Sequence, residues 1–91
     1  MVSFSCKDTK ALHERRSAKR FGALESVARR KLAMLDAAAS LKDLASPPGN
    51  HLEALRDDRA GQHSIRINKQ FRICFVWTDD GPKDVEIVDY H

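Results

Sequence analysis

The chain has 91 residues, 42% of them hydrophobic and 32% charged, with a net charge of +3. That length suits a single domain over 1–91 that buries roughly 60–65% of its unfolded surface, and the balance of apolar and charged residues excludes a disordered chain. No apolar run reaches the ~18 residues of a membrane span, and the opening MVSFSCKDT has no apolar signal core, so a cytoplasmic protein without membrane contact is expected.

Charge is unevenly placed. Residues 1–31 hold nine Lys/Arg and three Asp/Glu, whereas residues 32–91 hold seven and ten. A basic first third suits contact with a polyanion, although a solvated helix surface would have the same composition. Cys6 and Cys74 lie far apart and lack metal-ligand spacing, a pattern that reads as free thiols in a reducing compartment.

In chain order, Val2, Phe4 and Cys6 alternate with Ser3 and Ser5, which predicts a short strand at a sheet edge. Asp8 is placed to cap a helix beginning at Thr9. Arg15, Arg16, Lys19 and Arg20 follow, and their spacing gathers them on one side if the segment is helical. From Leu24 to Ala39 the residues Leu24, Val27, Ala28, Leu32, Leu35 and Ala39 form one apolar helical stripe, with Arg29 and Arg30 largely off it. Ser40 can cap a further turn over Leu41 to Ala45. Pro47-Pro48-Gly49-Asn50 then ends helical structure.

The second half reads as strands. His51 to Arg56 predicts a short one, residues 57–61 a turn, and Gln62 to Trp77 a β-hairpin. In that hairpin Ile65, Ile67, Ile73 and Phe75 alternate with Ser64, Arg66, Arg72 and Cys74. A two-residue loop would pair Ile65 with Arg72 and mix the faces. A three-residue loop, Asn68-Lys69-Gln70, pairs Ile65 with Ile73 and Arg66 with Arg72, leaving a clean apolar face. Asp79 to Pro82 predicts the next turn and Asp84 to His91 the last strand. The order is strand, helices, then a run of strands, which points to an α+β fold with an antiparallel sheet and helices packed on one face.

The predicted register sets two guanidinium groups directly opposite each other on the outer face. Like charges so placed destabilise a strand pair, which suggests that an anion belongs between them. If Val85 and Ile87 face the core, Glu86, Val88 and Tyr90 share the arginines' face, with His91 next along. Arginines form charge-assisted bonds to phosphate, His exchanges a proton near neutrality, and Tyr can stack on an unpaired base. Together these groups describe metal-free RNA cleavage by the substrate's own 2′-OH. His51, His63 and the Asp pairs 57–58 and 79–80 show no recognised metal-ligand spacing, so no metal or other cofactor is expected. Phe75 and Trp77 share the parity of Ile73 and read as core.

The blocks PPGNHLEAL at 47–55, DRAGQHSIRINKQFRICFVW at 58–77 and VEIVDYH at 85–91, with SVARRKLAMLDAA at 26–38, closely resemble the HigB-type toxins of bacterial type II toxin–antitoxin pairs. These are also known as plasmid maintenance system killer proteins. The resemblance implies a RelE/ParE-like fold, a compact antiparallel sheet with N-terminal helices on one face. It implies a metal-free endoribonuclease that cuts mRNA on the ribosome. It also implies a HigA-type helix-turn-helix antitoxin, through which the complex binds operator DNA. Carried across, the catalytic residues are Arg66, Arg72, Asp89, Tyr90 and His91. Arg56 stands where related toxins often carry Lys, in a phosphate-binding role, and Gln70 adjoins the site near a base. Glu53 stands where some relatives carry His, so the resemblance supplies no imidazole there. Arg15, Arg16, Lys19, Arg20, Arg29, Arg30 and Lys31 would bind ribosomal RNA through sequence-independent phosphate contacts. Two other readings are a ParE-like, non-nuclease inhibitor of DNA gyrase, which needs no converging cluster, and a non-catalytic RNA- or ribosome-binding module.

Overall fold

The computed structural model describes residues 3–14 and 19–89, the side chains of residues 19–21 and 48 excepted. Three helices, α1 (Lys7–His13), α2 (Glu25–Ala37) and α3 (Leu41–Ala45), precede four strands, β1 (Glu53–Ala54), β2 (His63–Arg66), β3 (Phe71–Thr78) and β4 (Gly81–Asp89). The strands form one antiparallel sheet in the order β1-β2-β3-β4. The expected α+β architecture is therefore the observed one. Among the described residues no helix is long and apolar enough to cross a membrane.

One face of the sheet carries Ile65, Ile73, Phe75, Val85 and Ile87, all essentially inaccessible to solvent, and packs on Leu12 of α1 and Ala28, Leu32 and Leu35 of α2. Of the stripe predicted for α2, Ala28, Leu32 and Leu35 form this buried face and Val27 packs partly buried beside it, whereas Leu24 precedes the helix and Ala39 lies beyond it, exposed. Trp77 packs partly buried at the core's margin, as its parity requires. Cys6 and Cys74 are free thiols.

Several details differ from the sequence-based expectation, each for a local reason. Helix α1 begins at Lys7, before Thr9, so Asp8 sits inside its first turn, where a carboxylate favours the positive end of the helix dipole. This shift places Thr9 on the buried face. Its hydroxyl accepts a 3.0 Å bond from the backbone N–H of Ile87. Before α3, the Ser40 side chain makes no capping bond; Asp43 reaches back to accept the N–H of Ala39 at 2.9 Å. The expected first strand is reduced to a parallel bridge between Phe4 and Val85, with bonds from the Ser5 N–H to the Val85 carbonyl and from the Val85 N–H to the Ser3 carbonyl. Residue 2 and the basic residues Arg15 and Arg16 lie outside the described residues.

Strand β4 starts at Gly81, three residues earlier than expected, because a bulge lies inside it. Cys74 pairs with Glu86 but Val76 pairs with Lys83, so Asp84 and Val85 together oppose Phe75. Asp84 takes φ 52°, a left-handed conformation that one class of bulge adopts. The extra residue switches the strand's parity, which lets Pro82 on one side and Val85 and Ile87 on the other all be buried. Its alternation had therefore been readable only after Asp84.

Thr9 and the segment 3–5 together satisfy the outer edge of β4, a strand edge that would otherwise offer bare N–H groups. Replacing Thr9 by Val keeps the shape but orphans the Ile87 amide. Urea denaturation of Thr9→Val is expected to show a loss of about 1–3 kcal/mol, with Thr9→Ser retaining most of the stability. Equal stability of the Val variant would contradict the role given to this hydroxyl.

Candidate functional site

The β2–β3 hairpin has the three-residue loop that the hydrophobic alternation demands. Ile65 faces Ile73, Arg66 faces Arg72, and the Ile67 N–H bonds the Phe71 carbonyl at 3.0 Å. Loops of this length usually end on a glycine in the left-handed region, which this one lacks. Asn68 supplies the substitute: its Oδ1 accepts the N–H groups of Gln70 at 2.9 Å and Phe71 at 2.8 Å. The side chain closes the turn, so no loop residue needs a positive φ.

In an antiparallel ladder the pair beside a hydrogen-bonded one is the close kind, with Cα atoms about 4.5 Å apart. Arg66 and Arg72 form that neighbouring pair, next to Ile67 and Phe71. The two side chains avoid each other by turning opposite ways. Arg66 Nε donates to the carbonyl of Asn68 at 3.1 Å, toward the loop. Arg72 Nε donates to Ser64 Oγ at 2.7 Å, and its Nη2 reaches the carbonyl of His51 at 2.5 Å. Among the described residues Arg66 has no carboxylate partner. Beside the pair, Val88 of β4 aligns with Arg72 and Glu86 with Cys74, which places these two members of the predicted outer-face row where expected.

The groove these residues make has a volume of about 370 Å³ and is lined by His51, Glu53, Arg66, Asn68, Lys69 and Arg72. Three cations and one carboxylate give it a net attraction for anions. His51 was not singled out for this site by sequence reasoning. It follows a Pro-Gly-Asn turn, and nothing in periodicity links it to a strand that lies 21 positions later. What brings it there is Asn50. That side chain is fully buried, donating from Nδ2 to the Leu44 carbonyl at 3.0 Å and accepting at Oδ1 from Lys31 Nζ at 2.5 Å. Asn50 thus ties the turn to α2 and fixes where His51 emerges.

The remaining expected residues are dispersed. Gln70 Nε2 donates to Asp89 Oδ2 at 3.0 Å, joining the hairpin tip to the end of β4. Arg56 lines a neighbouring groove formed by residues 53–59, which shares Glu53 with the arginine groove. Tyr90 and His91 lie outside the described residues. Of the basic helical residues, Arg30 is exposed, whereas Arg29 pairs with Glu25 at 2.9 Å and Lys31 with Asn50. Arg15 and Arg16 fall outside the described residues, as do the side chains of Lys19 and Arg20.

The bond from Arg72 to Ser64 should be visible in solution. In Ser64→Ala the NMR signal of Arg72 Nε–H is expected to lose its protection from exchange, while the amides of Ile65 and Ile73 keep theirs. Unchanged protection at Nε would mean that Ser64 does not orient the guanidinium.

Comparison with known proteins fits this geometry. The family model described as "RelE-like toxin of type II toxin-antitoxin system HigB" matches residues 7–91. The chain is 48% identical over 56 residues to Toxin HigB-1 of Vibrio cholerae serotype O1, covering 62% of this chain and 59% of that protein. It is 42% identical over 57 residues to an uncharacterized protein of Haemophilus influenzae, covering 63% and 56%. The matches thus span under three-fifths of the length of these curated relatives, 59% and 56%. In structure, it resembles a chain of the YoeB-YefM complex from Staphylococcus aureus with a TM-score of 0.59 and 21% identity, over 100% of this chain and 95% of that one, a likeness of fold. With 85 of its residues inside the family model, from 7 to 91, the chain belongs to the HigB-like toxins, RelE-like toxins of type II toxin–antitoxin systems.

Proposed function

We propose that this chain is a ribosome-dependent endoribonuclease that cleaves mRNA, stops translation and arrests growth, and that it acts in the cytoplasm. The observation that supports this most is the direct opposition of Arg66 and Arg72 in an open groove. Two like charges on directly opposed residues repel each other, and a bound phosphate relieves that repulsion while accepting charge-assisted bonds from the guanidinium N–H groups not already engaged.

On this reading the scissile phosphate lies across the pair, and the ribose 2′-OH beside it is the nucleophile. The extra negative charge that forms on the non-bridging phosphate oxygens is met by donors already in place, the arrangement in which electrostatic stabilisation is largest. Arg72 is held by Ser64 and the His51 carbonyl, so little of its ordering has to occur during the reaction. Tyr90, two positions after Val88 in the sequence, is assigned to orient the substrate, with Asp89 and His91 assisting proton transfer. Gln70 is given a place beside the base, and Arg56 a contact to a flanking phosphate. The substrate's own hydroxyl is the attacking group, so the step is written without a metal or other cofactor.

The basic residues Arg15, Arg16, Lys19, Arg20, Arg29, Arg30 and Lys31 are assigned to ribosomal RNA. Arg30 is the exposed member among those whose side chains are described. A HigA-type helix-turn-helix antitoxin is the proposed partner. It would neutralise the toxin and carry the complex to operator DNA.

The test is cleavage of mRNA on programmed ribosomes in the presence of EDTA, comparing the unaltered protein with Arg72→Ala and with a chain lacking Tyr90 and His91. Cuts inside ribosome-bound codons that fall at least 10²-fold in both variants are expected, the size of effect that loss of one preorganised donor produces. A protein that arrests growth without cutting would overturn the nuclease reading and favour gyrase inhibition or simple ribosome occupancy.

A further inference from the structure

His51 is exposed, lines the same groove as Arg66 and Arg72, and adopts φ 45° and ψ 55°. That left-handed conformation is uncommon for a residue with a Cβ, and it persists only where the surroundings enforce it. Here they do so from both sides. Asn50 is anchored beneath it by Leu44 and Lys31, and its own carbonyl receives the Arg72 guanidinium. The consequence is an imidazole presented on a fixed backbone beside the arginine that would hold a phosphate.

We propose that His51 accepts the proton of the attacking ribose hydroxyl, an assignment that rests on the nuclease reading above. The charged groups facing it are Glu53 from β1, Arg66 from β2, Lys69 from the hairpin loop and Arg72 from β3. Guanidinium and ammonium groups keep their protons, which leaves His51 and Glu53 as the acceptors among the described residues that line the groove. Of these two side-chain types, imidazole is the one that takes up and releases a proton around neutrality. As the O2′–H proton passes to the imidazole, the O2′–P bond forms and the P–O5′ bond breaks. The 5′-oxygen leaves with a proton that Asp89 and His91 relay from solvent, and the imidazolium later returns its proton to solvent. The products are a 2′,3′-cyclic phosphate and a 5′-hydroxyl, with no net proton change. In this scheme the residue is bifunctional: its carbonyl orients Arg72 and its side chain moves the proton.

The experiment uses His51→Gly in the full chain on programmed ribosomes, because glycine accepts the left-handed backbone without strain and leaves the carbonyl available to Arg72. The expected result is a kcat lower by roughly 10²- to 10⁴-fold at neutral pH, with KM near that of the unaltered protein. The rise of kcat with increasing pH should disappear, and added free imidazole should restore part of the rate. A His51→Gly variant that cleaves at the unaltered rate with the same pH profile overturns the proposal while leaving the nuclease reading intact. So does a pH dependence that survives in His51→Gly and vanishes in Glu53→Gln, which would assign the base to the carboxylate. Absence of cleavage by the unaltered protein on the same ribosomes overturns the nuclease reading, and this assignment with it.

Discussion

Two arginines stand directly opposite each other on neighbouring strands, and much of the molecule serves to keep them there. Arg66 and Arg72 are opposed because Ile65 and Ile73 must both face the core. A slip of one residue would turn the whole apolar row toward solvent. The hydrophobic core therefore enforces a pairing that electrostatics disfavours. Fixing the register by burial on one face of a sheet is an economical way to hold like charges together on the other. Directly opposed like charges cost stability on the order of 0.2–1 kcal/mol, far less than the burial that sets the register.

A chain of contacts runs from the helical layer to this pair. Lys31 of α2 bonds the buried Asn50, Asn50 bonds the end of α3, and the next residue, His51, offers its carbonyl to Arg72. Ser64 holds the same arginine from the opposite strand. The route explains why a basic residue on α2 is not wholly a surface residue: Lys31 is half-buried and its ammonium satisfies a polar group inside the fold. Buried polar groups need such partners. Here the partner that satisfies Asn50 also steadies the turn from which the site is built. Asn68 plays a similar part at the hairpin tip, closing it with a side chain in place of a left-handed backbone.

The central hairpin could be read in full from residue types, because strict alternation over Ile65–Phe75 tolerates one register only, and the outward row of Arg66, Arg72 and Val88 followed from it. The α2 stripe was equally plain, since a 3.6-residue period leaves one face to bury. What escaped detection depends on backbone torsion or on long-range contact. The bulge at Asp84 and the left-handed turn at His51 place non-glycine residues at positive φ, and no side-chain pattern announces that. The start of α1 at Lys7 was missed because Asp8 has the chemistry of a cap, whereas it sits inside the first turn. The value of Thr9 is a hydroxyl that meets a strand amide 78 positions away. The groove was likewise only half visible: its arginines sit on long periodic strands, but Glu53 comes from a two-residue strand and His51 from the left-handed turn before it.

The measurement that tests the central claim most directly is the thermal midpoint of Arg66→Gln against the unaltered protein as a function of ionic strength. If the opposed arginines are held together at the expense of stability, the variant melts higher at low salt, by roughly 1–5 °C for a domain of this size. The difference should shrink as salt screens the pair or when inorganic phosphate is added. A variant that melts lower than the unaltered protein at every salt concentration would contradict the account, because Arg66 would then be a stabilising side chain and not a charge held in place for an anion.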